Sequence, residues 1–284
     1  MIMRSDMREH WTTALLLAPA ALIFMGLFIA PSVFYFIISF WSVKLYRMQP
    51  DVTLANYAKA IEQNWTVLLF TLELAFAVGL ITTILGFVFA YIIRFKSGRW
   101  GPFLLFIAVI TLFGGYLMKI YAWKTILGNA GVLNTALLAL GVIDAPLTFL
   151  FYTPGAVIVT LIHFLLPLAI LPIYSSLRGV TDIEMEAARD LGAGPLRTLS
   201  DVVVPRCQTG LIAAFALCFL VSVGDFVTPA LVGGTISMIG SVIQSQFGMA
   251  LNPPLGSATS FLMLGGSFAI VLIMSFAIRA WRPR

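Results

Sequence analysis

VLLFTLELAFAVGLITTILGFVFAYII, Val67–Ile93, is a run of 27 residues interrupted by a single charge, Glu73. About 20 consecutive apolar residues let a helix cross ~30 Å of hydrocarbon, so this run reads as a membrane span. Working outward, similar runs bounded by charges lie at Thr12–Trp41, Pro102–Ala122, Pro154–Tyr174, Cys207–Pro229 and Gly256–Ile278. The fold class expected is therefore an all-α membrane protein of about six transmembrane helices. A five-span reading, in which one weak segment only dips into the membrane, stays open. Composition agrees with the class: 60% of 284 residues are apolar and only 10% are charged, with a mean hydropathy of +1.00. Soluble domains are nearer half apolar and a quarter charged.

The loops alternate in charge. The amino terminus, Arg94–Gly101, Ser175–Arg206 and the carboxyl terminus hold twelve of the 17 basic residues: Arg4, Arg8, Arg94, Lys96, Arg99, Arg178, Arg189, Arg197, Arg206, Arg279, Arg282 and Arg284. The other side holds Lys44, Arg47, Lys59, Lys119 and Lys124. Basic loops favour the cytoplasm, which places both termini inside. The organisation expected is a cytoplasmic segment 1–11, one permease domain 12–281 carrying the long loop 175–206, and a cytoplasmic tail 282–284. Scattered over short loops, these bases exclude a nucleic-acid partner and read as topology signals. Membrane lipid is the expected surrounding.

The remaining special residues read quietly. Cys207 and Cys218 fall on one expected span, about three turns apart, which is too far for a mutual disulfide. His10 and His163 are the only histidines, so no metal site is expected and His163 reads as a packing residue. Trp11, Trp41, Trp65, Trp100, Trp123 and Trp281 sit near span ends, as an interfacial belt requires. Among the outer loops, Leu133–Val142 reads as a short helix, and Val232–Leu255 carries no charge.

Ser175–Arg206 is the one long inner loop. Thr181-Asp182-Ile183-Glu184 is a capping-box pattern, the residues to Leu191 are helix formers, and Gly192 suits a helix stop. Gly194-Pro195 turns the chain and opens a second helix, since proline is favoured at the first helical position. Two short helices follow, Ile183–Leu191 and Pro195–Val204, with Ala187 and Ala188 giving a low-profile side. Such a surface suits a groove on another protein; a connector packed only on its own bundle is the alternative.

Glu186-Ala187-Ala188-x3-Gly192, followed after nine residues by Val202-x-Val204-Pro205, resembles the EAA loop of ABC importer permeases. The family pattern has Ile and Leu where this chain has Val202 and Val204. Leu171-Pro172-Ile173-Tyr174-Ser175-Ser176-Leu177, Gly224-Asp225-Phe226-Val227-Thr228-Pro229 and Gly233-Gly234 extend the resemblance to the spermidine/putrescine permeases of the PotB type. The resemblance implies a type I importer permease fold and a non-catalytic subunit forming half of a pore. It also implies a second, PotC-like permease, a PotA-like ATPase dimer that holds ATP and Mg, and a PotD-like external binding protein. No cofactor is expected in this chain, which has no Gly-x4-Gly-Lys-Ser/Thr stretch.

The residues implied for ATPase coupling are Glu184, Glu186, Ala187, Ala188, Asp190, Leu191, Gly192, Ala193 and Pro205. A polyamine is a multiply charged cation, so its path needs carboxylates and aromatic faces. Glu73 and Asp225 are candidates for the charge; Phe226, Tyr116, Tyr121 and Trp123 for the faces. Interhelical hydrogen bonding is the alternative role for both carboxylates. Lys119 and Lys124 either snorkel to the outer boundary or line the pore, where they would favour an anion. Opines, amino-acid-like solutes and anions are thus alternative cargoes. An ion-driven secondary transporter is the rival of another class, though no internal repeat is evident.

Overall fold

The computed structural model describes residues 16–44 and 47–280. The start of the first expected span at Thr12, together with Arg4, Arg8, His10, Trp11, Trp281, Arg282 and Arg284, lies outside the described residues. Twelve helices are used below. The first, α1 (Leu16–Ile38), is apolar throughout and contains a wide turn at Met25–Ile29. A hairpin follows, β1 (Ser42–Lys44) with β2 (Arg47–Gln49), pairing Ser42 with Gln49 and Lys44 with Arg47. These are the only strands among the described residues.

The quoted run lies in α2 (Ala55–Phe95), a helix of 41 residues. At 1.5 Å per residue it is about 60 Å long, roughly twice the hydrocarbon thickness. It starts twelve residues before the expected Val67, a correction with a simple cause. Hydropathy falls at Lys59, Glu62 and Asn64, but no glycine or proline stops the helix there. The Thr53 hydroxyl accepts from the Ala55 N–H at 3.1 Å and helps to start it.

The third expected span is not continuous. It divides into α3 (Gly101–Ile110) and α4 (Tyr116–Leu127), and the chain bends by 94° between Gly98–Phe113 and Tyr116–Ala139. Gly114 and Gly115 form the break, both with extended ψ values of 103° and 137°. A short α5 (Val132–Ala139) occupies the expected helical stretch in the outer loop, and α6 (Pro154–Leu177) is the fourth span. Thr153 caps α6, its hydroxyl accepting from Ala156 N.

The loop helices are α7 (Asp182–Asp190) and α8 (Pro195–Arg206), the latter with a wide turn at Leu199–Val203. After a 72° bend comes α9 (Gln208–Gly224). The fifth expected span therefore stops at Gly224 rather than Pro229, because Asp225 is extended and α10 (Val227–Val232) starts anew. Two helices complete the chain, α11 (Ile239–Gly248) and α12 (Pro253–Ala280). Among the described residues, four helices are long and apolar enough to cross a membrane, or up to six if each bent pair is one span.

Two compact units emerge. One comprises the described residues up to Asn64 together with Ile243–Leu262. In it, Asn56 donates to the carbonyls of Ser39 and Trp41, tying the end of α1 to the start of α2. The other comprises Trp65–Val242 and the described residues from Met263. Its core is where α2, α6 and α9 meet, with Val78, Leu161, Leu165, Ile173, Phe215 and Phe219 fully buried. Close approach depends on glycine. A Cβ on Gly86 would stand 2.8 Å from Ala169 Cβ, and one on Gly210 would stand 2.6 Å from the Pro172 carbonyl. Small residues at such crossings are how helices pack when lipid offers no hydrophobic gain. Cys207 and Cys218 are free and buried.

Candidate functional site: a braced loop and an intramembrane cleft

The inner loop is built from local signals. Thr181 Oγ1 accepts from Glu184 N, and Thr181 N donates to Glu184 Oε2 at 3.0 Å, a reciprocal capping box. The far end closes just as firmly. Gly192 N donates to Arg189 O at 2.8 Å and Ala193 N to Ala188 O at 2.9 Å, with Gly192 at φ +81°. This double bond pattern needs a left-handed residue, which glycine supplies without a Cβ clash.

Two ion pairs hold α7 in place. Glu184 Oε1 pairs with Arg206 on α8, and Asp182 pairs with Arg94 of α2 at 3.6 Å. Arg94 also donates to the Val180 carbonyl at 3.2 Å. The Thr181 N–H and then the Arg206 guanidinium hold the Glu184 carboxyl below its ordinary value. Met185 is buried beneath the helix. Ile183, Glu186, Ala187, Asp190 and Leu191 form the opposite, exposed stripe at helical spacing. Of the residues singled out for coupling, Glu186, Ala187, Asp190, Leu191 and Gly192 are exposed together. Ala188, Ala193 and Pro205 are half-buried, and both oxygens of Glu184 are already engaged.

The second site lies where two helix breaks meet. Tyr116, the first residue of α4 after Gly114–Gly115, donates its hydroxyl to Asp225 Oδ1 at 2.5 Å. The same carboxylate oxygen accepts from Val227 N at 3.0 Å and Thr228 N at 3.2 Å, so Asp225 caps α10. Thr228 Oγ1 lies 2.9 Å from the Tyr116 hydroxyl. The other oxygen, Oδ2, is buried and has no hydrogen-bond partner among the described residues. Asp225 is itself one of the residues lining a cleft of about 290 Å³, whose walls also include Tyr116, Phe164, Val221 and Phe226. Phe164 packs on Tyr116 with ring centroids 4.8 Å apart, and Lys119 Nζ lies 5.5 Å from the centroid of the Phe164 ring. That ammonium is buried and has no hydrogen-bond partner among the described residues.

The cleft thus brings together Tyr116, Asp225 and Phe226. Glu73 does not join them: it sits on an exposed face of α2. Tyr121 is exposed, and Trp123 donates its indole N–H to His163 Nδ1 at 3.1 Å instead. Phe164 is the wall residue that sequence reasoning missed. One of 23 phenylalanines, it carries no local signal.

The chain is 38% identical over 213 residues to the spermidine/putrescine transport system permease protein PotB of Escherichia coli K12, covering 74% of this chain and 77% of that protein. The chain belongs to the PotB family of ABC transporter permeases. As a member of that family it is a non-catalytic membrane subunit. The inner membrane ABC transporter permease protein YdcU of Escherichia coli K12 is also similar to this PotB-family chain, at 31% identity over 244 residues, 81% of this chain and 76% of that one. A crystal structure of a bacterial ABC transporter that imports alginate carries the same fold, with a TM-score of 0.73 over 98% of this chain and 99% of that chain, at 16% identity. No protein-family model matches the PotB-family chain.

Proposed function

We propose that this permease forms half of the translocation pore of a binding-protein-dependent importer of the bacterial inner membrane, with a polyamine as cargo. The cargo reading is carried by Asp225, which lines an aromatic-walled cleft and whose buried Oδ2 has no hydrogen-bond partner among the described residues. An ammonium group satisfies such an oxygen, and methylene spacers suit the faces of Tyr116, Phe164 and Phe226. The printed substrate of the 38% identical relative supports the same class.

Residues 12–281 act as one permease domain, with both termini and the loop 175–206 in the cytoplasm. The exposed stripe of α7 docks on a PotA-like ATPase dimer, which holds ATP and Mg; this chain holds no cofactor. A PotC-like permease supplies the other half of the pore, and a PotD-like binding protein delivers cargo from outside. ATP binding closes the ATPase dimer, α7 moves with it, and the pore changes its open side. Proteoliposomes containing the complete transporter, given labelled spermidine, putrescine, an opine and an amino acid, test the reading. ATP-dependent uptake of the polyamines alone is expected. Uptake driven by an ion gradient without ATP, or of the other solutes alone, would refute it.

A second reading has one observation in its favour. The buried ammonium of Lys119 over the Phe164 ring suits a cargo that carries an acid group beside its amine. Inhibition of spermidine uptake by an amino-acid-like solute at equal concentration would favour it.

A further inference from the structure

At the inner end of α2 two adjoining clefts, of about 210 and 290 Å³, share Tyr91, Lys96, Met185 and Arg189 as walls. The larger adds only Ala193, Pro195 and Thr198, so its two formal charges are both positive. The smaller also holds Asp182, engaged by Arg94, and Glu186. Lys96 and Arg189 come from different elements, and neither forms an ion pair among the described residues. Two like charges around one cavity oppose each other until an anion enters.

The position of the cleft narrows the anion. Lys96 lies three residues beyond Ile93, where the long apolar run ends. Phe89, Ile92 and Ile93 form one stripe of α2, and Lys96, whose N–H bonds the Ile92 carbonyl just past the helix end, continues it at i+7. The apolar part of that stripe is one wall of a groove of about 300 Å³, closed by Leu104, Ile107 and Ala108 of α3 and by residues of α6. A basic pocket at the cytoplasmic end of membrane helices, with an apolar groove one helical turn away from its lysine, has the chemistry of an anionic lipid site.

We infer that this end of the molecule binds an anionic phospholipid of the cytoplasmic leaflet, its phosphate between Lys96 and Arg189 and one acyl chain in the groove along Phe89, Ile92 and Ile93. The distance along α2 from Lys96 to Phe89 is about 10 Å, so the tail lies beside the helix rather than across it. Because Arg189 is on α7 and Lys96 directly follows the end of α2, the phosphate bridges the coupling helix to the end of the longest span. The inference rests on the cytoplasmic placement of α7 proposed above. Its readout is bound lipid, so it stands or falls separately from ATPase coupling and from cargo.

Native mass spectrometry of the whole transporter, purified with its partner subunits from membranes containing phosphatidylglycerol and phosphatidylcholine, tests it. The parent should retain phosphatidylglycerol selectively. Lys96→Gln with Arg189→Gln should weaken retention roughly thirtyfold, the effect of two basic groups at an anionic leaflet. Lys96→Arg with Arg189→Lys, which keeps both charges, should restore it, and Ala108→Phe should reduce it by filling the groove. Excess inorganic phosphate should not displace the lipid. Equal retention in the double glutamine variant, equal retention of the neutral lipid, or displacement by inorganic phosphate would each overturn the inference, the last assigning the cleft to a free anion. Retention by Ala108→Phe equal to the parent would overturn the acyl-chain placement.

Discussion

Replacing Asp225 with asparagine separates charge from architecture. Asp225 Oδ1 accepts three hydrogen bonds, from the Tyr116 hydroxyl and from the N–H groups of Val227 and Thr228. An asparagine carbonyl in the same place keeps all three and still caps α10. What changes is the second position, where a free acceptor oxygen becomes an NH2 group that repels an ammonium. A hydrogen bond to a charged group contributes about 1.5–3 kcal/mol, which is about a 10- to 150-fold change in a rate or affinity. Since a binding protein would present the cargo, the loss should appear in the uptake rate at saturating binding protein. The melting temperature in detergent should stay near that of the parent. Asp225→Ala should show the same transport loss together with about 1 kcal/mol of lost capping. Tyr116→Phe keeps the carboxylate and should lower stability by about 0.5–1.5 kcal/mol while retaining polyamine selectivity. Labelled spermidine uptake in proteoliposomes decides the matter. Asp225→Asn transporting at the parent rate would refute the assignment of Oδ2 to the cargo path.

Other substitutions test the scaffold and the loop. Gly210→Ala puts a methyl 2.6 Å from the Pro172 carbonyl and Ser176 Oγ; it should destabilise by about 1–3 kcal/mol, read as a lower melting temperature. Gly192→Ala forces a Cβ into φ +81° at a strain of about 1 kcal/mol, and cargo-stimulated ATPase activity should fall while the complex still assembles. Glu186→Lys reverses the charge on the exposed stripe of α7, and co-purification of the ATPase should drop. The Glu184 carboxyl is held below the ordinary value of 4.5, so its bracing is fully present above that pH. As pH falls through the lowered value the proton binds and the brace to Arg206 is lost. Protection factors at the amides of α7, corrected for the intrinsic exchange rate at each pH, should therefore fall below pH 4.5 in the parent, and Glu184→Gln should remove that pH dependence.

What the sequence revealed follows the range of the interactions involved. The capping box at Thr181 and Glu184 and the stop at Gly192 were legible because their partners lie within five residues. The all-α membrane class was legible because hydropathy is a property of each segment alone. The break at Gly114–Gly115 was not, because glycine pairs are ordinary inside membrane helices and the apolar run continues through them. Asp225 and Glu73 looked equivalent as carboxylates within spans. Only the rotation of each helix against its neighbours separates them, and an all-apolar helix carries no polar face from which that rotation could be read. The same uniformity hid Phe164, whose role comes from facing Tyr116 across two helices.

The two sites are joined by rigid elements rather than by loops. Both helices flanking the inner loop run from it to the cleft. α6 ends at Leu177, four residues before the cap of α7, and carries Phe164 about 20 Å back along its axis. α9 begins at Gln208, directly after α8, and ends about 25 Å away at Gly224, beside Asp225. The two helices are clamped where Gly210 meets Pro172 and Ser176, so they cannot slide freely past each other at that end. The Glu184–Arg206 pair then fastens α7 to the last turn of α8. On the proposed function, a displacement of α7 would reach both walls of the cleft through packed helices. Asp225–Phe226 and Gly114–Gly115 are the helix breaks that build the cleft. On the proposed function, the break at Asp225 places its carboxylate where the cargo is to be met, and the break at Gly114–Gly115 places Tyr116 beside it.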